Sequence, residues 1–425
     1  MKNKIRISSG FLYLLMLIGV VINAYFNDLP LMFPVVCVWL GSVLLLPFMG
    51  ITARKQIFAL YAISFILIVF VLIQGETLDI SKMFSANITM AAMFAASSFL
   101  SLATRHLHGT ELLKGGKGVL STLLGANILG AVISLAVIYV VGDRLEKNHR
   151  LSVSQVMVIS RGFCAASYWS PFFVGCAVAL LYSPGMKLLI TIPIGIFLVL
   201  VTILLTFIDI KQQKTDFEGF PVSFSSLKLP LILVLSVMIY HYLDSTRSVI
   251  IIIAIVTPII SILLMNKHHF KKDISNQILE YFPNMGGQIA LYLAAGIMSG
   301  AISGIVKIYP PNFIYSITNS FGPNEAIFSL ILIIIISYMG LHPIITLSTI
   351  IPVINHFNPD PTLVGLLMLI GWGLGITVSP LSATNLSIIG RYNASSKDIL
   401  KMNKYFTIEM LAICYAIFWI YSEVN

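Results

Sequence analysis

The chain has 425 residues, of which 58% are apolar and only 10% are charged. Charged residues make up about a quarter of an ordinary soluble domain, so this composition excludes a soluble globular protein and predicts a polytopic membrane protein. The net charge of +9 would favour a nucleic-acid partner for a soluble protein, but here the basic residues lie in short loops between apolar stretches. We therefore expect the lipid bilayer, and no nucleic acid, as a partner.

Apolar stretches long enough to cross a membrane follow one another along most of the chain. In order, they cover residues 10–26, 30–49, 57–74, 88–104, 153–182, 187–208, 229–243, 247–265, 281–306, 361–390 and 405–421. Two further stretches, residues 119–141 and 325–356, each contain a glycine turn, at Gly125 to Gly130 and at Gly340 to Pro343. We expect both to be re-entrant hairpins that return to the side of the membrane from which they came.

The distribution of basic residues favours this hairpin interpretation. With a cytoplasmic N-terminus and two hairpins, the only basic residues in outside loops are Lys82, Lys187, Arg247 and Lys307. Cytoplasmic loops carry the excess of Lys and Arg in membrane proteins, and treating either hairpin as a full span would invert every later loop. The prediction is a multi-pass, all-α protein of a bacterial-type inner membrane, built as an inverted-topology repeat with two re-entrant hairpins and two broken transmembrane helices.

The two predicted broken helices are apolar stretches interrupted by polar residues. One runs from a Gly-x-Gly-x-Gly segment beginning at Gly371 into hydroxyl residues, a proline and Asn385, a run that cannot be ordinary helix. The other carries a Ser-Pro pair at Ser170, which aligns with a Ser-Pro pair at Ser379. Breaks in corresponding positions of two halves are the best sequence indication of a transporter's binding site.

The two halves share weak similarities that occur in the same order. Residues 94–105 resemble 293–304, residues 123–135 resemble 338–350, and a hydrophilic stretch at 209–228 is the natural seam between the halves. The predicted organisation has N-terminal scaffold helices in residues 1–87, a first repeat in 88–208, a linker with scaffold helices in 209–280, and a second repeat with the last helix in 281–425.

The second hairpin tip and the second break together resemble a known group of proteins. The tip reads Gly-Leu-His-Pro from Gly340 and continues through hydroxyl and aliphatic residues to Pro352, and the break runs from Val378 to Asn385. These segments resemble the ion transporter superfamily, including its divalent anion/sodium symporters and arsenite-efflux type transporters. The resemblance implies a homodimeric secondary transporter in which a transport domain moves past a scaffold, an elevator-like mechanism.

Arg161 is the one basic residue that the predicted topology leaves inside the membrane. A charge there costs roughly 2.5 to 3.5 kcal/mol even on insertion-based scales, so it normally marks a pathway or a partner. No carboxylate lies at matching depth in this topology, which favours an anionic solute held by the guanidinium. The alternative is an arginine bonded to hairpin carbonyls or reaching the inner surface.

Polar residues at the hairpin tips and the breaks complete the predicted site. Asn127 and His342 could bond a solute or satisfy the turns, and His342 would also suit proton coupling. Hydroxyl and amide groups at the breaks could hold sodium together with unwound carbonyls, or could repair the broken helices. The predicted solute-binding residues are Asn127, Arg161, Ser170, His342, Thr346, Ser382, Thr384 and Asn385, and the predicted ion-binding residues are Gly340, Ser379 and Asn385.

The expected function is secondary active transport of a small anionic solute, coupled to sodium or protons. Two alternatives stay open at this point: a proton-coupled exporter of a metabolite or oxyanion, and an intramembrane lipid-processing enzyme. The enzyme would need acid, base or metal pairs on facing helices, and the deep segments contain no Asp or Glu. We therefore expect no catalytic residue, no metal centre and no cofactor other than a bound sodium ion.

Overall fold

We describe the protein from a computed structural model, which covers residues 2–26, 31–100, 102, 111–133, 135–148, 150–213, 216–222, 225–244, 246–265, 270–310 and 320–424. Helices make up nearly all of this part of the chain. Six of the described helical segments are long and apolar enough to cross a membrane: Asn3–Phe26, Ile51–Ile73, Leu188–Gln212, Gly286–Ile308, Pro361–Tyr392 and Ser396–Val424. The predicted class, an all-α polytopic membrane protein, is confirmed.

The helices follow the predicted apolar stretches closely, because a span in lipid must bond its own backbone polar groups. The first half contains α1 (Lys2–Phe26), α2 (Met32–Leu45), α3 (Ile51–Ile73), α4 (Ile80–Ser85), α5 (Ile88–Ser97), α6 (Gly115–Ile133), α7 (Ala136–Leu145), α8 (Val153–Ala165), α9 (Val174–Tyr182) and α10 (Leu188–Gln212). The second half contains α11 (Ser225–Leu243), α12 (Val249–Leu264), α13 (Phe270–Asn276), α14 (Phe282–Asn284), α15 (Gly286–Ile308), α16 (Pro323–Tyr338), α17 (Pro343–Asn355), α18 (Pro361–Val378), α19 (Ala383–Tyr392) and α20 (Ser396–Val424).

The chain divides into two compact units that are interleaved in sequence. The first consists of Met1–Ala103, Leu235–Ser320 and Leu347–Asn358, and the second consists of Thr104–Val234, Phe321–Thr346 and Pro359–Asn425. Both interrupted helices and the turn between α16 and α17 belong to the second unit. The predicted division into four consecutive segments is a different partition of the chain and stays a prediction, as does the inverted repeat.

In the first unit, α1 packs on α2, α3 on α15, and α5 on α12. Buried polar contacts join these layers: the hydroxyls of Tyr13 and Ser42 are 3.1 Å apart, and Asn87 Nδ2 donates to the carbonyl of Tyr292 at 2.8 Å. Helix also occurs between the predicted spans 247–265 and 281–306, where α13 runs through a π-helical turn, Gln277–Tyr281, into α14. The turn places Gln277 in the interior, where its Nε2 donates to Ser98 Oγ at 2.6 Å.

The centre of the second unit is α18, in which every residue from Thr362 to Val378 is buried. Helices α8, α9, α16 and α20 pack around it. The side chain of Asp360 caps the helix by accepting from the backbone N–H of Leu363 at 2.8 Å, and Pro361 takes the first helical position. An all-round apolar helix with small residues is suited to such a central place, because it can be enclosed on every side.

The glycines of α18 do not interrupt it, contrary to the prediction that the run from Gly371 cannot be ordinary helix. The helix continues to Val378 and is interrupted only at residues 379–382. The glycines instead allow close packing: a Cβ at Gly371 would lie 3.0 Å from Ile333, and one at Gly373 would contact Ser167 Oγ. Small residues let helix backbones approach closely in a membrane protein, and this requirement explains the run.

The first predicted hairpin turn is also misplaced. The segment from Gly125 to Gly130 lies inside α6, which continues to Ile133 before α7 begins. A Cβ at Gly125 would contact Val222, and one at Gly130 would lie 2.7 Å from the ring of Phe163, so these glycines too make room for neighbours. Helices α6 and α7 pack against each other. Their course through the membrane stays a prediction.

The second predicted turn is confirmed as a turn. Helix α16 ends at Tyr338, α17 begins at Pro343, and Gly340 between them has φ of +98°, a left-handed conformation that favours glycine. The first predicted break is also observed: α8 ends at Ala165, a 3-10 turn follows, and α9 begins only at Val174. Ser170 and its following proline lie in the non-helical part.

The hydrophilic stretch predicted as the seam between the halves is packed along α6. The backbone N–H of Phe220 donates to Thr122 Oγ1 at 2.7 Å, and Ser121 Oγ donates to the carbonyl of Phe220 at 2.8 Å. Strand β1 (Leu113–Lys114) pairs antiparallel with β2 (Glu218–Gly219). Residues 216–222 are therefore an integral part of the second unit.

Candidate functional site

The polar groups of the first break are satisfied by the chain itself. Ser170 Oγ donates to the carbonyl of Ala131 at 3.0 Å and accepts from the backbone N–H of Phe172 at 3.3 Å. Asn127 lies in the middle of α6 rather than at a turn, and its Nδ2 donates to the carbonyl of Gly162 at 3.1 Å. Its Oδ1 accepts from Trp169 Nε1 at 3.1 Å. Here the polar residues repair a broken helix.

The two broken helices touch each other. Ser167 Oγ donates to the carbonyl of Leu369 in α18 at 3.2 Å, and the Cβ of an alanine at Gly175 would lie 2.8 Å from the ring of Trp372. The 3-10 turn after α8 and the start of α9 therefore lie directly on α18. The polar residues on either side of this contact form one neighbourhood in the second unit.

At the second break, Asn385 caps the C-terminal end of α18. Its Nδ2 lies 3.2 Å from the carbonyl oxygen of Ile376, 3.1 Å from that of Thr377 and 2.9 Å from that of Ser379. Its Oδ1 accepts from Ser160 Oγ of α8 at 3.3 Å. The last carbonyls of a helix have no partner within the helix, so a buried break needs such a donor.

The start of α19 is capped locally. Ser382 Oγ accepts from the backbone N–H of Asn385 at 3.2 Å, which makes Ser382 the N-cap. Thr384 follows in the first turn and is 2% exposed. The predicted site residues Ser382, Thr384 and Asn385 thus lie together at the second break, and two of them have a visible structural role.

Arg161 is paired, and the expectation that no carboxylate matches its depth is wrong. Its Nη1 lies 2.6 Å from Asp209 Oδ2, its Nη2 donates to the carbonyl of Met402 at 2.6 Å, and its Nε donates to Asn403 Oδ1 at 3.0 Å. The guanidinium also lies 4.1 Å from the ring centre of Phe406. Asp209 was assigned to the hydrophilic seam, but α10 extends past it to Gln212 and carries it to the arginine.

Asn403 is a residue of this neighbourhood that the sequence analysis missed. It is fully buried in α20, and its Nδ2 donates to the carbonyl of Thr377 at 3.2 Å. A signal for it exists in the sequence: the buried residues of α20 recur at helical spacing, and Asn403 is the amide among them. They are Ile399, Asn403, Phe406, Thr407, Met410, Cys414, Ile417, Phe418 and Tyr421.

Three buried hydroxyls of the second unit have no hydrogen-bond partner within the described part of the chain: that of Ser379 in the second break, and those of Ser337 in α16 and Thr346 in α17. Gly375, one turn before the break, lies close to all three segments that carry these hydroxyls. A Cβ there would lie 2.9 Å from Ser337 Oγ and 2.6 Å from Pro343, which begins the helical turn that holds Thr346. The backbone N–H of Ser379 donates to the carbonyl of Gly375 at 2.9 Å.

The turn between α16 and α17 packs on the same region. A Cβ at Gly340 would lie 2.9 Å from Leu381 of the second break. His342 is 8% exposed, its Nδ1 accepts from the backbone N–H of Ile344 at 3.2 Å, and its ring meets that of Trp372 edge to face at 5.2 Å. The histidine therefore contributes to the cap of α17 and to the wall formed by α18.

A cleft of about 690 Å³ lies between α7 and α19. Arg391 of α19 forms a bidentate salt bridge with Asp143 of α7, with N to O distances of 2.6 and 2.7 Å. The hydroxyl of Tyr139 in α7 donates to Ser387 Oγ of α19 at 3.0 Å. The volume of the cleft is in the range of ligand pockets, and α19 leads from it directly to the second break. The cleft is lined by Tyr139, Glu146, Leu386, Ser387, Gly390 and Arg391.

The predicted site residues therefore fall into two groups, one at each break, with Arg161 connected to the second break. In or near the second break lie Gly340, His342, Thr346, Ser379, Ser382, Thr384 and Asn385. Arg161 is connected to this break through Asn403. Asn127 and Ser170 serve the first break. Which of these residues contact a solute or an ion stays a prediction.

No family model matches this sequence, and no curated protein matches it. Among solved structures, the chain is similar to the YdaH transporter of Alcanivorax borkumensis, whose crystal structure is described as revealing an unusual topology. The TM-score is 0.53 with 13% sequence identity, and the match covers 79% of this chain and 84% of that one. At this identity the similarity shows a shared fold, that of a polytopic membrane protein.

Proposed function

We propose that this protein is a secondary active transporter that moves a small polar solute across the membrane, coupled to a sodium ion bound at the second break. The observation that carries the proposal is the group of three buried hydroxyls of Ser337, Thr346 and Ser379. A buried polar group without a partner costs about 1 to 3 kcal/mol, so one such hydroxyl in the second break and two more on the adjoining helices α16 and α17 indicate a ligand. Sodium ions at the unwound helices of transporters are coordinated by neutral oxygen ligands, and hydroxyl and carbonyl groups supply such oxygens.

The fold supports the same function. The chain shares its fold with a protein that is named as a transporter, and one of its two compact units holds both broken helices. Alternating access by movement of one unit needs such a division, with the binding site in a single unit. The elevator-like mechanism, the homodimer, the cytoplasmic N-terminus and the inner-membrane location belong to this proposal.

The solute need not be an anion. The prediction of an anionic solute depended on an unpaired Arg161, and Asp209 now balances that charge. The cleft between α7 and α19 is the proposed route for the solute. Its lining includes a basic side chain (Arg391), an acidic one (Glu146), and hydroxyl groups that can either donate or accept a hydrogen bond. A solute with several polar groups fits such a lining better than a simple inorganic ion does.

The first test measures thermal unfolding of the purified protein against sodium chloride, with choline chloride holding the ionic strength constant. Binding to the folded state alone stabilises it by about 2.7 kcal/mol at a hundredfold excess over Kd. Ser379→Ala and Thr346→Val should abolish this response while leaving the sodium-free protein at least as stable, because each removes an unpartnered hydroxyl. An unchanged response in both variants, or none in the wild type, would refute the sodium site.

The matched control is Ser261→Ala in the first unit. Its hydroxyl is equally buried, but it donates to the carbonyl of Thr257 at 2.6 Å. This variant should keep the full sodium response.

A transport assay then identifies the solute. Proteoliposomes with an imposed sodium gradient are screened for currents on addition of carboxylates, amino acids and sugars. Currents that do not depend on the sodium gradient would argue against coupling.

A further inference from the structure

Two adjacent residues of α8 hold the oxygen atoms of two asparagines from other helices. Ser160 Oγ donates to Asn385 Oδ1 at 3.3 Å, and Arg161 Nε donates to Asn403 Oδ1 at 3.0 Å. The amide nitrogens of both asparagines then point to the same atom, the carbonyl oxygen of Thr377, at 3.1 and 3.2 Å. The first broken helix is thereby connected to the end of the second through two side-chain amides.

The guanidinium decides which way the amide of Asn403 faces. A guanidinium has only donors, so it requires the amide oxygen on its side and sends the amide nitrogen toward Thr377. The reversed amide would place donor against donor at Arg161 and acceptor against acceptor at the carbonyl. All groups involved are buried, so water does not relieve such a conflict.

This arrangement holds the backbone immediately before the proposed ion ligand. The carbonyl oxygen of Thr377 accepts two hydrogen bonds, which occupy both of its lone pairs, and Ser379 follows two residues later. Thr377 O is therefore a fixed support rather than a ligand. Binding geometry must be held to within about 0.5 Å by such supporting contacts if affinity is to be retained.

We infer that Arg161 and Asn403 are positioning residues of the sodium site. Arg161 acts through Asn403 on the carbonyl of Thr377 and so fixes the hydroxyl of Ser379, without touching ion or solute. The inference rests on the proposed function, because it assigns a support to that same site. Asp209 has a separate role, which is to balance the charge of the guanidinium.

The two roles can be separated by a pair of conservative substitutions. In Arg161→Lys the ammonium still pairs with Asp209, but it lacks the planar fork that reaches Asp209 and Asn403 together. Asp209→Asn leaves the bond from Arg161 to Asn403 in place. We expect Arg161→Lys to raise the apparent sodium Kd about tenfold, as outer contacts of ion sites do, and Asp209→Asn to leave it within about twofold.

Asn403→Asp provides a second variant of nearly the same shape. The carboxylate still accepts from Arg161, but it places an oxygen against the carbonyl of Thr377, so its sodium Kd should rise as well. Equal changes in Arg161→Lys and Asp209→Asn would overturn the inference, since both would then act through general stability. The same holds if Arg161→Lys and Asn403→Asp bind sodium like the wild type.

Hydrogen exchange in sodium-free buffer tests the positioning role apart from ion binding. The backbone amides of residues 378–385, Pro380 excepted, should exchange faster in Arg161→Lys and Asn403→Asp, with those of α5 in the first unit unchanged. Unaltered exchange at the break would overturn the positioning role whether or not sodium binds. A wild type without any sodium response would instead overturn the sodium site, so the two failures are distinguishable.

Discussion

Replacing Gly375 by alanine tests the packing around the second break most directly. The glycine lies in the last turn of α18, where its missing side chain admits two neighbours. A Cβ would lie 2.6 Å from Pro343 Cγ and 2.9 Å from Ser337 Oγ, both closer than ordinary contacts. Ser337 can rotate its hydroxyl away, but the proline ring cannot, so the backbone of α17 or α18 has to move.

Two opposing effects determine the expected size. Inserting a methyl group into a well-packed interior costs about 1 to 3 kcal/mol, and replacing glycine by alanine within a helix returns up to about 1 kcal/mol. We therefore expect Gly375→Ala to lower the free energy of unfolding by about 1 to 2 kcal/mol. Because Ser337 and Ser379 flank this turn, the variant should also weaken the sodium response.

Gly390→Ala is the matched control. It makes the same substitution within α19, and a Cβ there would meet nothing within 4 Å. Only the gain in helix propensity applies, so this variant should equal or exceed the wild type in stability. Thermal and SDS unfolding in lipid nanodiscs, followed by circular dichroism, compare the two. A Gly375→Ala variant as stable as Gly390→Ala would show that the close approach of Pro343 is not as described.

Three further predictions concern the second unit. Asp143→Asn should lower stability by less than about 1 kcal/mol in low-salt unfolding assays, and by still less in high salt, because its bond to Arg391 is half exposed. A hydrogen bond from Lys147 holds the pKa of the Glu218 carboxyl below its usual range. The pair therefore stabilises the folded state at pH values above the pKa that Glu218 has in the unfolded chain, and this stabilisation is lost as the pH falls through the lower pKa of the folded state. Unfolding midpoints of Glu218→Gln and wild type should therefore differ at pH 7 and converge toward pH 3, and a constant difference would contradict the assignment. Gly219→Ala should release residues 216–222 from α6, seen as faster hydrogen exchange there, since its Cβ would contact the backbone of that helix.

The position of both breaks could be predicted because it follows from local chemistry. A Ser-Pro pair within an apolar stretch removes a backbone donor and disfavours helix for the residue before it. Ser170 and Ser379 accordingly lie where the helices are interrupted. Gly340 was also placed correctly, since the following His-Pro sequence leaves little but a turn.

The contacts between distant segments could not be predicted in this way. The role of Gly125 or Gly373 depends on which segment packs against it. From the sequence alone, a glycine that allows close packing cannot be distinguished from a glycine that ends a helix. Arg161 appeared unpaired because Asp209 stood at the edge of a hydrophilic stretch. One additional turn of α10 brings the carboxylate to the arginine, and spacing along the chain does not reveal that turn.

The pairing of β1 with β2 has a consequence for the order of folding. It joins Leu113 to Gly219, so it closes a loop of about a hundred residues. At ordinary synthesis rates of about 5 to 20 residues per second, the partner strand emerges roughly 5 to 20 s after the start of α6. Until then the N-terminal end of α6 lacks the contacts that residues 216–222 make with it, while α7 to α10 are already synthesised. The two short strands thus act as a late closure, formed only when the first broken helix is already complete.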